Sequence, residues 1–244
     1  MTTLKIATYN IHKGFSQFNR RVVLHELREK LRELDADIVF LQEVQGEHDS
    51  HALSHAAYPE APQHEFLADE YWSHHAYGMN ALYEAGHHGN AILSRFPIVQ
   101  TRNTDVSAHR FEQRGLLHCE IDLGGQSVHC FCAHFGLFAR GRRVQMQALI
   151  RHVQSEVAAE APLIIAGDFN DWRNQLSKGL ATGLNVHDVF QLGHGKTARS
   201  FPAAFPLFKL DRIYVRGLNV VECKVHGGRR MSDHAALLAQ LKIA

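Results

Sequence analysis

The stretch LIIAGDFNDW (residues 163–172) decides how the chain is read. Three apolar residues in a row, Leu163 to Ile165, describe a strand buried on both faces, as inside a layered α/β structure. Ala166 and Gly167 follow, and then a carboxylate and a carboxamide stand one residue apart. A buried strand needs no charge at its end, and a surface turn needs no such strand. The pattern predicts a rigid strand that holds Asp168 and Asn170 towards something cationic or phosphorylated.

Outward from this strand, Pro162 introduces it and residues 142–159 ahead of it read as a long helix. RGLLHCEIDL (residues 114–123) and SVHCFCAHF (residues 127–135) flank Gly124-Gly125, a strong hairpin signal. LKIATYNI (4–11), DIVFLQEV (37–44), NAILSRFPI (90–98, stopped by Pro97), LDRIYV (210–215), NVVECKV (219–225) and HAALLAQLKI (234–243) read as further strands. Leu24, Leu27, Leu31 and Leu34 carry a helical period through residues 20–34. No Pro/Ser-rich linker and no internal repeat divides the chain, so residues 1–244 are expected to form a single domain. Strands this numerous, with few helices between them, indicate mixed sheets covered by helices rather than a parallel βαβ array.

The composition is that of an ordinary globular protein: 244 residues, 45% hydrophobic and 21% charged. A formal net charge of +1 supports neither a polyanion-binding tail nor an acidic one. The start MTTLKIATYN lacks a secretory pattern, and no apolar run approaches the ~20 residues needed to cross a bilayer. A soluble, cytoplasmic protein is expected. Cys130 and Cys132 share a strand face and read as reduced core residues. Residues 46–89 are polar and rich in histidine, and are expected to form a surface insertion. His51 and His55 could share one side of a helical turn and bind a metal, but no closed zinc ligand set is visible.

Polar residues recur where the strands end. Asn10, Glu43, His134, Asp168 and Asn170 close strands, Asp211 sits in LDRIYV, and Asp233-His234 opens the last strand. Any one of them alone reads more readily as a satisfied core polar group or a cap. Together they are harder to dismiss, because a sheet gathers its strand ends at one rim and an unpaired buried charge is costly. Glu43, Asp168 and Asp233 are hard oxygen donors suited to Mg²⁺ or Mn²⁺. Two histidines beside such a centre fit acid/base work and charge stabilisation at phosphorus. No GxSxG, P-loop or GxGxxG pattern is present. Metal-assisted hydrolysis of a phosphoester uses all the groups.

The order TYNIHKG, LQEV, GNAILSRFP, AHFGL, AGDFN, LDRIYV, SDHAAL resembles the endonuclease/exonuclease/phosphatase superfamily of deoxyribonuclease I-like metal-dependent phosphohydrolases. The resemblance runs from Leu4 to about Leu238. It implies a four-layer α/β sandwich, two packed and mainly antiparallel sheets flanked by helices. It further implies that Glu43 is the main metal ligand, helped by Asn10 and Asp233. Asp168 and Asn170 then orient and activate the attacking water, His234 contacts the scissile phosphate, Asp211 fixes its ring, and His134 is the second catalytic histidine. The deoxyribonuclease pattern supports that second histidine with a glutamate, whereas GHHGNAILS offers only His87, His88 and Asn90.

The expected activity is that of a Mg²⁺- or Mn²⁺-dependent phosphodiesterase acting on nucleic acid, a phospholipid head group or a small phosphodiester by in-line attack of water. The alternative is a catalytically silent phosphoester-binding module of the same fold. A histidine-rich metal-handling protein built on residues 46–89 is a third reading. Arg140, Arg142 and Arg143 form either a phosphate-binding rim or an ordinary solvated helix start. Arg199, Lys209, Arg229 and Arg230 could add positive charge, and SFPAAFPLF (residues 200–208) is either an apolar lip beside the site or a buried crossover. The sequence identifies no protein partner.

Overall fold

The computed structural model of the chain describes residues 3–16, 21–48, 58–84, 86–109, 111–227 and 231–243. A first sheet is built from β1 (Thr3–Asn10), β2 (Ile38–His48), β3 (His74–Tyr83), β4 (Gly86–Ser94), β11 (Leu218–His226) and β12 (Ala236–Ile243), in the order β11-β12-β1-β2-β4-β3. A second is built from β5 (Ile98–Asp105), β6 (Gly115–Asp122), β7 (Ser127–His134), β8 (Leu163–Asp168), β9 (His187–Asp188) and β10 (Asp211–Arg216), in the order β5-β6-β7-β8-β10-β9. Among the described residues each sheet has one parallel pair, β1–β2 in the first and β7–β8 in the second, and its other pairs are antiparallel. Parallel neighbours require a crossover. Helix α1 (Leu24–Leu34) supplies one and α3 (Ala139–Glu156) the other.

The strands separate their residues between layers by the two-residue period. Ile6, Phe40, Cys130, Cys132 and Ile164 point into the core between the sheets. Ala7, Val39 and Leu41 pack with Leu24, Leu27, Leu31 and Leu34 of α1. Phe131, Leu163 and Ile165 pack with Leu149 and Val153 of α3 and Leu180 of α4 (Ser177–Leu184). The result is the four-layer sandwich, with two helical layers outside two packed, mainly antiparallel sheets. All four cysteines are buried and free. Among the described residues no helix is long and apolar enough to cross a membrane.

The structure revises several sequence expectations. Much of the stretch expected as a polar insertion is framework: α2 (Gln63–Ala68), β3 and the start of β4 lie within it, and β3 pairs with β4 along its length. Trp72 is buried there, its indole N–H donating to the Ala36 carbonyl at 2.9 Å. The third strand stops at Ser94, and Pro97 separates it from β5 instead of ending it. The last strand begins at Ala236, which leaves Asp233 and His234 in the turn before it. Arg20, His51, His55, Arg229 and Arg230 lie outside the described residues.

Gly167 explains the small residues of the opening stretch. A Cβ there would stand 1.9 Å from the Ala133 carbonyl oxygen, and its φ of +146° is one that L side chains rarely adopt. Glycine lets β8 approach β7 closely just before Asp168.

Candidate active site

The C-terminal ends of the two parallel pairs meet across the sandwich. In the second sheet, His134 of β7 and Asp211 of β10 are the lateral partners of Asp168 on β8. Three groups therefore sit side by side across three strands. In the first sheet, Asn10 closes β1 opposite Gln42, and the register of β2 breaks between Leu41 and Val44. Glu43 sits in that bulge with a φ of +57°. Such an irregularity redirects a side chain, and backbone held in this region is typical of functional sites. Asn170 has a φ of +49°, and its backbone N–H donates to Asp168 Oδ1 at 2.8 Å. Its side-chain amide donates to the Phe135 carbonyl at 2.9 Å. Ser232 ties in the last segment: its hydroxyl donates to the Asn10 carbonyl at 2.7 Å and accepts from the His234 N–H at 3.1 Å.

Asp168 Oδ2 is the centre of the cluster. It accepts from Asn10 Nδ2 at 3.2 Å and lies 3.6 Å from His134 Nε2 and 3.8 Å from His234 Nε2. Asn10 Nδ2 also reaches Glu43 Oε1 at 3.4 Å, while its Oδ1 accepts from the His12 N–H at 3.1 Å. Asn10 thus joins the two carboxylates through its NH₂ here. Asp233 Oδ1 is 3.4 Å from the His12 ring. His234 Nδ1 is bonded to Asp211 Oδ2 at 2.8 Å.

Burial and neighbouring charge divide the two histidines. Burial alone disfavours the His234 imidazolium, but the Asp211 and Asp168 carboxylates outweigh it and raise the pKa to about 10. His134 is held well below the ordinary value, first by burial and then by Arg114 and His234. Burial raises Asp168 to about 6, against the opposing charge of His234.

The donor set suits a hard divalent cation. Asp168, Asp211 and His234 offer ligand atoms within 4.8 Å of one another, and Asp211 Oδ1 is buried without a partner among the described residues. A protonated His234 has no lone pair to give, so the carboxylate oxygens of Glu43, Asp168 and Asp211 are the better-matched donors.

A cleft of about 660 Å³ opens beside Glu43 and His134, lined among others by Lys13, His88, Glu112 and Arg114. Sequence reading missed these cations. Lys13 has a φ of +57° and Arg114 bonds to Glu112 at 3.3 Å, neither of which any local pattern signals. Among the described residues no carboxylate holds the second nitrogen of His134. Arg212, also missed, is a fully buried guanidinium that donates to the carbonyls of Asp211 at 3.0 Å and Asp171 at 3.1 Å. Arg142 is a correction to the expected rim. It is buried, and its guanidinium donates to the Leu137 carbonyl at 2.6 Å, so it holds the loop after β7 instead of facing a phosphate. Arg140 and Arg143 are exposed.

The sequence profile of the Endonuclease/Exonuclease/phosphatase family matches residues 7–234. Escherichia coli (strain K12) has a relative, the uncharacterized protein YbhP, that is 44% identical over 246 residues, covering 99% of this chain and 97% of its own. An endonuclease/exonuclease/phosphatase structure from Beutenbergia cavernae superposes with a TM-score of 0.82 at 20% identity, covering 100% of this chain and 72% of that one. D. rerio TDP2 in complex with a single-strand DNA product superposes with a TM-score of 0.74 at 18% identity, covering 99% of this chain and 100% of that one.

Proposed function

Because this chain belongs to the endonuclease/exonuclease/phosphatase family, whose members hydrolyse phosphoester bonds, we propose that it is a phosphodiesterase dependent on Mg²⁺ or Mn²⁺. The observation that carries this reading is the convergence on Asp168 Oδ2 of Asn10 from one sheet and His134 and His234 from both sides. Glu43, with Asp168, Asp211 or Asp233, would hold the cation, which neutralises phosphate charge when bound.

The chain's own groups divide the remaining work. Asp168, fixed by the Asn170 N–H and carrying a pKa of about 6, orients a water and takes its proton. His234 is cationic at neutral pH, and its Nε2 proton is free to bond a phosphate oxygen while Asp211 sets the ring. His134, neutral and buried, stands opposite His234 across Asp168 to hold a second phosphate oxygen or the leaving group. These dipoles are in place before substrate arrives, which is the condition for stabilising charge without reorganisation.

The test is hydrolysis of bis(p-nitrophenyl) phosphate after EDTA treatment and after return of Mg²⁺ or Mn²⁺. Activity should vanish and return, and Asp168→Ala and His234→Ala should each lose about 10³-fold or more. Full turnover in EDTA, or an undiminished Asp168→Ala enzyme, removes the mechanism. Tight phosphoester binding without turnover under any metal would leave a binding module instead.

A further inference from the structure

Two rims of apolar side chains border the mouth of the site. On the Glu43–His134 side, Phe111, Leu137 and Phe138 line the cleft and stand 82%, 61% and 65% exposed. This rim is rigidly held: the Leu137 N–H donates to Glu112 at 2.9 Å, and its carbonyl accepts from the buried Arg142. On the His234 side, Phe201 packs on the His234 ring at 5.1 Å, Phe208 on Phe201 at 6.4 Å, and Trp172 on Phe208 at 6.4 Å. Trp172, Phe205 and Phe208 are 51%, 70% and 46% exposed. The stretch 200–208 is thus a lip beside the site, not a buried crossover. Large apolar side chains held in water at one opening mark an interaction surface.

We infer that this mouth docks on a lipid surface bearing negative charge, with both rims inserted at the level of the head groups. The inference rests on the phosphodiesterase reading only in placing a head-group phosphoester at Asp168. Charge favours an anionic surface: Arg140 and Arg143 are exposed within the first five residues of α3, which starts directly after Phe138, and Val144 beside them is half exposed. Rings and aliphatic groups flanked by arginine are the chemistry of interfacial anchoring. A single-stranded nucleic acid fits less well. Leu137 and exposed Leu207 offer no stacking face, and a net charge of +1 supplies no extended phosphate track.

The chain has two tryptophans, and Trp72 is fully buried, so a fluorescence response to vesicles reports Trp172. The full chain is mixed with phosphatidylcholine vesicles with and without phosphatidylglycerol, and separately with labelled oligothymidylate. Sedimentation with the anionic vesicles and quenching of Trp172 by brominated acyl chains are expected. The pairs Phe111→Ser with Phe138→Ser, and Phe205→Ser with Phe208→Ser, should each weaken partitioning by about a hundredfold, the loss expected for two phenyl groups. Their melting curves are recorded alongside to show that they fold. Protein remaining in the supernatant, rim variants that fold and sediment normally, or binding to oligothymidylate in place of vesicles overturns the inference. Vesicle binding with no hydrolysis of any phosphoester instead overturns the phosphodiesterase reading and leaves the docking intact.

Discussion

Gly167→Ala puts the close approach of β7 and β8 under test. The added Cβ would lie 1.9 Å from the Ala133 oxygen, 2.9 Å from its carbonyl carbon and 3.0 Å from its nitrogen, all backbone atoms with no rotamer to yield. Restoring ordinary contact requires the strands to part by about 1.5 Å, a degree of overpacking that costs about 1–3 kcal/mol. Alanine at a φ of +146° adds about 1–3 kcal/mol of backbone strain. A combined loss of about 4 kcal/mol lowers Tm by about 8–16 °C for a chain of this size. The separation opens between His134 and Asp168, which are lateral partners one position further on. Misplacement of about 1 Å at reacting groups costs about a hundredfold in rate, so kcat/KM for bis(p-nitrophenyl) phosphate should fall by that order at a temperature where the variant is folded. Gly125→Ala is the control, with a φ of +112° but nothing within 4 Å among the described residues. It should lose only the strain contribution and keep its rate. A Gly167→Ala protein within about 1 kcal/mol of the parent and fully active would refute the reasoning.

Asp211→Asn removes the main support of the His234 imidazolium, so the pKa raised to about 10 should drop and the alkaline limb of the rate profile should move to lower pH, with kcat down about 10²–10⁴-fold; an unmoved limb counts against the pairing. Arg212→Met leaves the buried Asp188 carboxylate, 3.6 Å away, without its cation and should cost about 3–5 kcal/mol in urea denaturation, whereas a neutral outcome would show the pair to be dispensable. Acid should destabilise the fold through buried histidines. Burial holds His118 at about 3 and His64 at about 4, both below their unfolded values, so stability is present above pH ~6.5 and declines as pH falls towards 4. Solvent screening limits each to under ~1 kcal/mol per pH unit. His118→Phe, which keeps the stack on Phe131, should flatten that slope in melts at pH 4–7, and an unchanged slope would exclude His118 as a source.

What the sequence disclosed followed from burial. Continuous apolar runs identified β8, β7 and β1 because both their faces meet packed layers. β5 was illegible because it is an edge strand whose residues are almost all exposed, so IVQTRNTD carries no alternation. β3 was hidden by a polar, histidine-rich composition that is stabilised by pairing with β4 and not by its own pattern. Within the site, Asn10, Glu43, His134, Asp168, Asn170, Asp211 and His234 come together because each is a polar break in an apolar run. Lys13 and Arg114 carried no such contrast, since a cation in or near a loop looks solvated until the fold brings a partner to it, whereas Arg212 interrupts the same run LDRIYV as Asp211 and was overlooked despite that contrast. Arg142 was misjudged for the same reason: its carbonyl partners become visible only when the loop after β7 closes over the helix start.

The groups of the candidate site belong to two separate sheets. Asn10 and Glu43 come from one, His134, Asp168 and Asp211 from the other, and the bonds Asn10–Asp168 and His234–Asp211 are drawn across the seam at 3.2 and 2.8 Å. Neither half owns a competent centre. During refolding, catalytic power should therefore appear only at the moment the two halves close on each other.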